Sequence, residues 1–200
     1  MVKNDQGLLV VISGPSGVGK GTICKEYFKQ HEDAFLSVSA TTRCPRDGEV
    51  DGESYHFFTM EKFNELVKED YFLEWADFCG QRYGTPKKPV FDCIEHGKDV
   101  VLEIEVQGAM QIRAKHPEGV YIFILPPSME ELRNRLEGRG TESKEVVEER
   151  LHTAISEIQQ SIKYNYFVVN DMVQQATEDI KTIIKAEKAR VERCNFKDEF

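Results

Sequence analysis

No apolar stretch in this 200-residue chain approaches the ~20 residues that cross a bilayer. The longest, Leu8 to Ile12 and Val120 to Leu125, have the length of strands. The opening Met1-Val2-Lys3-Asn4-Asp5-Gln6 has no apolar signal-peptide core, so a cytoplasmic protein without membrane attachment is expected. Cysteine is scarce. Its five positions (Cys24, Cys44, Cys79, Cys93 and Cys194) are odd in number and form no CxxC pair, which excludes a disulfide scaffold and gives no zinc or redox motif. Positive charge is also in deficit: 26 Lys+Arg stand against 35 Asp+Glu, a formal net charge of −9. That balance argues against broad binding to nucleic acid or anionic membranes, but it permits a local cationic pocket. Repeats and low-complexity segments are lacking. What remains is 40% hydrophobic and 30% charged, enough apolar surface for one folded domain with small inserted lobes.

Buried strands alternate with helices along the chain, which predicts a parallel sheet in an α/β domain. Leu8–Ile12, Val100–Leu102, Tyr121–Leu125 and Phe167–Val169 are apolar on both alternating faces, as strands of such a sheet are. Ser128-Met129-Glu130-Glu131 fits a capping box in which serine and glutamate each satisfy an orphan amide. Val147, Leu151, Ala154, Ile158 and Ile162 repeat at helical spacing, and a last helix is expected from about Val173 into the 190s, carrying Ile180, Ile183, Ile184 and Val191. Two segments read as insertions. One, about 39–94, is rich in turn signals and aromatics. The other, about 137–158, begins with the polar Glu137-Gly138-Arg139-Gly140-Thr141.

The first strand runs into Gly14-Pro15-Ser16-Gly17-Val18-Gly19-Lys20-Gly21-Thr22, and a helix pattern follows. Glycines let the backbone turn several N–H groups onto phosphate oxygens, the helix N-terminus adds its dipole, and Lys20 would neutralise β/γ-phosphate charge. The strict pattern has Ser or Thr directly after the lysine. Here that slot holds Gly21, so Thr22 is the candidate Mg²⁺ ligand. GTPases read guanine with Asn-Lys-x-Asp, and no such element exists in this chain. The stretch Ser39-Ala40-Thr41-Thr42-Arg43-Cys44-Pro45-Arg46-Asp47-Gly48-Glu49 offers two arginines beside hydroxyls, a possible bidentate anion clamp, with Tyr55 and Tyr83 as further donors.

With Asp51-Gly52-x-x-Tyr55-x-Phe57, Phe72-x-Glu74-Trp75-Ala76, Tyr83-Gly84-Thr85, Pro126-Pro127-Ser128, Leu136-Glu137-Gly138-Arg139-Gly140-Thr141 and Val169-Asn170-Asp171, the chain closely resembles guanylate kinase, a family of P-loop nucleoside monophosphate kinases. The landmarks run from about residue 7 to 190. The resemblance implies a three-layer P-loop core (about 1–38, 95–136 and 159–200), an inserted β-rich GMP-binding lobe (about 39–94) and a small helical lid (about 137–158). It implies transfer of a phosphoryl group from ATP to GMP, and dGMP as a further acceptor. Residues 14–22 would hold ATP with Mg²⁺. Arg43, Arg46, Tyr55 and Tyr83 would hold the GMP phosphate, and Ser39, Glu74, Thr85 and Glu105 would read guanine. Arg135, Arg139 and Arg150 would approach the ATP phosphates and adenine, with Arg150 between donor and acceptor and Asn170 near the adenine. Lys20, Arg43, Arg139 and Arg150 would form the catalytic set. Monomer and homodimer both stay open. Glu103 and Glu105 stand where many members carry Asp, and Thr85 where others carry Ser.

Guanine's N1–H and N2–H₂ donors suit a carboxylate, and its O6 suits a hydroxyl, which matches Glu74 with Ser39 and Thr85. A GMP phosphate is mostly dianionic at neutral pH and needs no general base, so the scattered His31, His56, His96, His116 and His152 are expected to be structural or solvated. Two other readings remain: a non-catalytic guanylate-kinase-like binding module, which the intact Lys20 loop disfavours, and another nucleoside monophosphate kinase, which the Glu74/Thr85 pair disfavours.

Overall fold

The computed structural model describes residues 6–193 except 32, 79 and 139–142. The chain order is β1 (Leu9–Ser13), α1 (Lys20–Phe28), β2 (Phe35–Leu36), β3 (Ala40–Thr41), β4 (His56–Phe57), α2 (Met60–Lys68), β5 (Phe72–Phe78), β6 (Gln81–Pro86), α3 (Lys87–Glu95), β7 (Val100–Glu103), α4 (Val106–Lys115), β8 (Val120–Leu125), α5 (Met129–Glu137), α6 (Lys144–Gln159), β9 (Tyr166–Val169) and α7 (Val173–Lys188). The alternation expected from the sequence is the one found, and the domain is α/β.

The main sheet runs β2-β7-β1-β8-β9 with every pair parallel. Leu9–Ser13 is buried throughout because β1 lies at its centre, covered on both faces. On one face Leu8, Val10 and Ile12 pack with Ile23 of α1 and Ala176, Ile180 and Ile184 of α7. On the other, Leu9, Val11, Leu102 and Phe123 pack with Val90 of α3 and Ala109 and Ile112 of α4. Each Leu, Ile, Val or Phe among them contributes about 1.5–3 kcal/mol on full burial. The second sheet runs β4-β3-β6-β5, with a core of its own around Ala40, Phe63, Leu66 and Phe72. It ends at Pro86, and α3 packs on the main sheet.

Three local details differ from the sequence reading. β9 is an edge strand: Val168 is buried, whereas Phe167 is 65% exposed on the other face. α6 ends at Gln159 and α7 at Lys188, so Ile162 and Val191 fall on 3₁₀ turns and point to solvent. In the cap of α5, Ser128 Oγ accepts the Glu131 amide, but the Glu131 carboxylate turns to Arg135 one turn on. α5 and α6 then join through Leu132, Leu136, Val147, Leu151 and Ala154.

Candidate active site

β1 delivers the phosphate loop to the end of the main sheet. Gly19 shows why glycine is needed there. Its φ is +100°, and a Cβ on it would stand 2.4 Å from Asn170 Nδ2. Asn170 Nδ2 donates to the Val18 carbonyl at 2.7 Å, and Arg135 Nη1 donates to the same oxygen at 3.2 Å while its Nη2 reaches the Asn170 carbonyl at 3.0 Å. These two side chains thus brace the loop from behind. Lys20, nearly buried, donates to the Gly14 carbonyl at 2.6 Å and lies 3.7 Å from Glu105 Oε2.

A cavity of about 800 Å³ joins this loop to the small sheet. Of the expected residues, Ser16, Gly17, Gly19, Lys20, Gly21, Thr22, Ser39, Arg46, Tyr55, Glu74, Tyr83, Glu105 and Arg150 line it. Gly14, Pro15 and Val18 complete the loop without lining the cavity. Arg43 stands behind the wall. Its guanidinium makes a bidentate pair with Glu49 (both 2.9 Å), which raises its pKa, and it sits 5.4 Å from the Tyr55 ring centroid. Arg139 lies outside the described residues. None of the five histidines lines the cavity.

At the far end Glu74 is 5% exposed, and its Oε1 accepts the Thr85 hydroxyl at 2.6 Å. Burial pushes its pKa up to about 7, against the opposing pull of the Thr85 donors and Lys115. Thr85, fully buried, addresses Glu74 first and acts as its orienting partner. Glu157, absent from the sequence-derived set, also lines the cavity. Burial, and then the charge of Glu105, push its pKa up to about 7, while Lys20 and the Ser16 amide pull it down. Arg150, Thr153 and Glu157 are spaced i, i+3, i+7 on α6, so one helix face brings all three in; that spacing was the available signal.

Among the described residues, no three His, Cys, Asp or Glu side chains stand together as a cage for a metal ion. The oxygen donors at the loop, Thr22 with Glu103 and Glu105, suit a hard divalent ion carried in by phosphates. Gly21 leaves space there: Glu103 Oε1 lies 3.3 Å from where its Cβ would stand. Burial raises the Glu103 pKa, against the field of Lys20.

A phosphate loop and a buried carboxylate, held by the Thr85 hydroxyl behind it, thus line one cavity. The family model described as Guanylate kinase matches residues 6–187. The chain belongs to the guanylate kinase family. It is 57% identical over 188 residues to the guanylate kinase of Caldanaerobacter subterraneus subsp. tengcongensis, covering 94% of this chain and 91% of that one. It is 54% identical over 191 residues to that of Clostridium perfringens, covering 96% and 88%. The crystal structure of guanylate kinase from Anaplasma phagocytophilum superposes with a TM-score of 0.82 at 34% identity, over 97% of this chain and 92% of that chain. Guanylate kinases are ATP:GMP phosphotransferases, ATP-using enzymes that generally need a divalent metal. Neither a non-catalytic module nor a kinase for another monophosphate is favoured by these relatives.

Proposed function

We propose that the cavity transfers the γ-phosphoryl group of ATP to GMP, giving ADP and GDP. The observation that supports this most is that the loop bearing Lys20 and the carboxylate of Glu74, oriented by the buried Thr85 hydroxyl, line the same cavity. In this reading residues 14–22 hold the ATP phosphates, with Arg135 and Asn170 behind them. Ser39, Glu74 and Glu105 read guanine, with Thr85 orienting Glu74, and Arg46, Tyr55 and Tyr83 hold the acceptor phosphate, with Arg43 held behind them by Glu49. The nucleophile is a phosphate oxygen of GMP. With a second pKa near ~6 it needs no base. The difficulty is that two polyanions must meet in line; Lys20, Arg46, Arg139 and Arg150 reduce that repulsion, with Arg43 anchoring the acceptor clamp. Thr22 would help to hold a Mg²⁺ ion brought in with ATP, and that ion would supply further charge neutralisation.

Water is the competing nucleophile. The 39–94 lobe and the 137–158 lid close over GMP and ATP, excluding it and assembling the arginines only with both substrates present. A scattering profile unchanged by GMP plus a non-hydrolysable ATP analogue contradicts closure. A cytoplasmic location fits the free cysteines among the described residues (Cys24, Cys44 and Cys93) and the absence, among those residues, of a helix able to cross a membrane. The deciding assay is coupled ADP release with GMP, dGMP, IMP and AMP: turnover with GMP and dGMP is expected, and turnover with AMP alone overturns the reading.

A further inference from the structure

We propose that Gly108, Gln111 and Lys115, one stripe along α4, are positioning residues that set acceptor-base selectivity by fixing the seat of Glu74. This rests on the reading of Glu74 as the partner of guanine. The three are spaced i, i+3, i+7 and so share a helix face. That face lies along three consecutive residues of β5. Lys115 Nζ donates to the Leu73 carbonyl at 3.1 Å. Gln111 brackets Trp75, its Nε2 donating to the carbonyl at 2.7 Å and its Oε1 receiving the amide at 3.4 Å. Between them, a Cβ on Gly108 would stand 2.4 Å from Glu74 Oε2 and 2.9 Å from Cδ.

The physical reason lies in β5 itself. It is the edge of the small sheet, so one side of its backbone has no partner strand, and its pairing with β6 slips between Phe72 and Glu74. An edge strand with a register break leaves its outward N–H and C=O groups to be satisfied elsewhere and aims its side chains by local geometry. α4, a helix of the main domain, supplies the missing partners. Glu74 is then held from both ends: Thr85 on Oε1, and the bare face of Gly108 against Oε2. A carboxylate so constrained presents two acceptors at a fixed pitch, which N1–H and the N2 amino group of guanine match. IMP has N1–H but lacks the amino group.

The test uses the full-length protein. Steady-state kcat/KM is measured for GMP and IMP at saturating ATP, and KM for ATP at saturating GMP, in wild type, E74Q, G108A and Q111A. The expected result is that E74Q collapses the GMP/IMP ratio, that G108A and Q111A each reduce it by about tenfold, as loss of a well-aligned charged hydrogen bond does, and that KM for ATP stays within twofold. If E74Q loses the ratio while G108A and Q111A keep it, or lower both acceptors alike, the stripe is merely structural and the proposal fails, with the Glu74 reading intact. If E74Q itself keeps the ratio, the Glu74 reading fails and takes the proposal with it. Should G108A not fold, Q111A, which removes only hydrogen bonds from a half-buried side chain, decides alone.

Discussion

At one end of the cavity, residues 14–22 follow a single buried strand without interruption, and in the proposed reading most of their binding groups are backbone amides. At the other end, Glu74, Thr85 and Arg46 come from different parts of the chain, and the groups are side chains, two of them positioned by others: Arg43 by Glu49, and Glu74 by Thr85 and α4. A backbone cradle is set by its own dihedrals and tolerates side-chain change. A side-chain cradle depends on each supporting contact, so substitutions should separate the two ends by which substrate they affect.

The largest effect is expected at the donor end, where one side chain does most of the electrostatic work. K20A should lower kcat on the order of 10³-fold, as loss of a transition-state charge partner does, read by single-turnover ADP formation. At the acceptor end E74Q should lower kcat/KM for GMP on the order of 10–100-fold with KM for ATP within twofold. An equal effect on both substrates would erase the distinction between the ends. R43A should raise the GMP KM by about tenfold, and E49Q should reproduce part of that rise, because Glu49 holds the guanidinium in place. N170A should raise the ATP KM a fewfold and leave GMP alone, since it removes only the brace on Val18.

A further difference between the two ends is one of pH. In the proposed reading Glu74 accepts both guanine N–H donors when ionised and loses one of those acceptors when protonated, and burial pushes its pKa up to about 7. The GMP KM should therefore rise as pH falls from 8 to 6, by up to about tenfold. E74Q should retain only the shallower part due to the GMP phosphate, which titrates near ~6. Stability carries the opposite sign. With the folded pKa about 7 against an ordinary 4.5, the folded state binds the proton more tightly than the unfolded state. The contribution of Glu74 to stability is then fully present below 4.5 and is lost as pH rises through 7. Thermal melts of E74Q should be flatter across that window.

The donor end was readable in the sequence because its physics is contiguous: a buried strand, glycines and a lysine in one run. The acceptor end was named through family resemblance, since a lone glutamate beside a tryptophan carries no local mark of a base-reading site. Apolar periodicity marks Val147, Leu151 and Ala154 on α6, whereas Glu157 belongs to the polar side of the same helix, which hydropathy does not single out. Ile162, Val191 and Phe167 were read as buried since hydropathy marks which residues prefer the interior. It does not show where a helix ends or which strand lies at the sheet's edge.

The attachment of β5 to α4 bears on how acceptor choice can be changed by engineering. The stretch between β2 and α3 carries Ser39, Arg46, Glu74 and Thr85, which invites its transplantation as a cassette into another phosphate-loop scaffold. A graft bounded there would leave behind the glycine and glutamine on which Glu74 leans. Its carboxylate would arrive without backing, so the transferable unit for reprogramming is the insert together with the helix that follows β7.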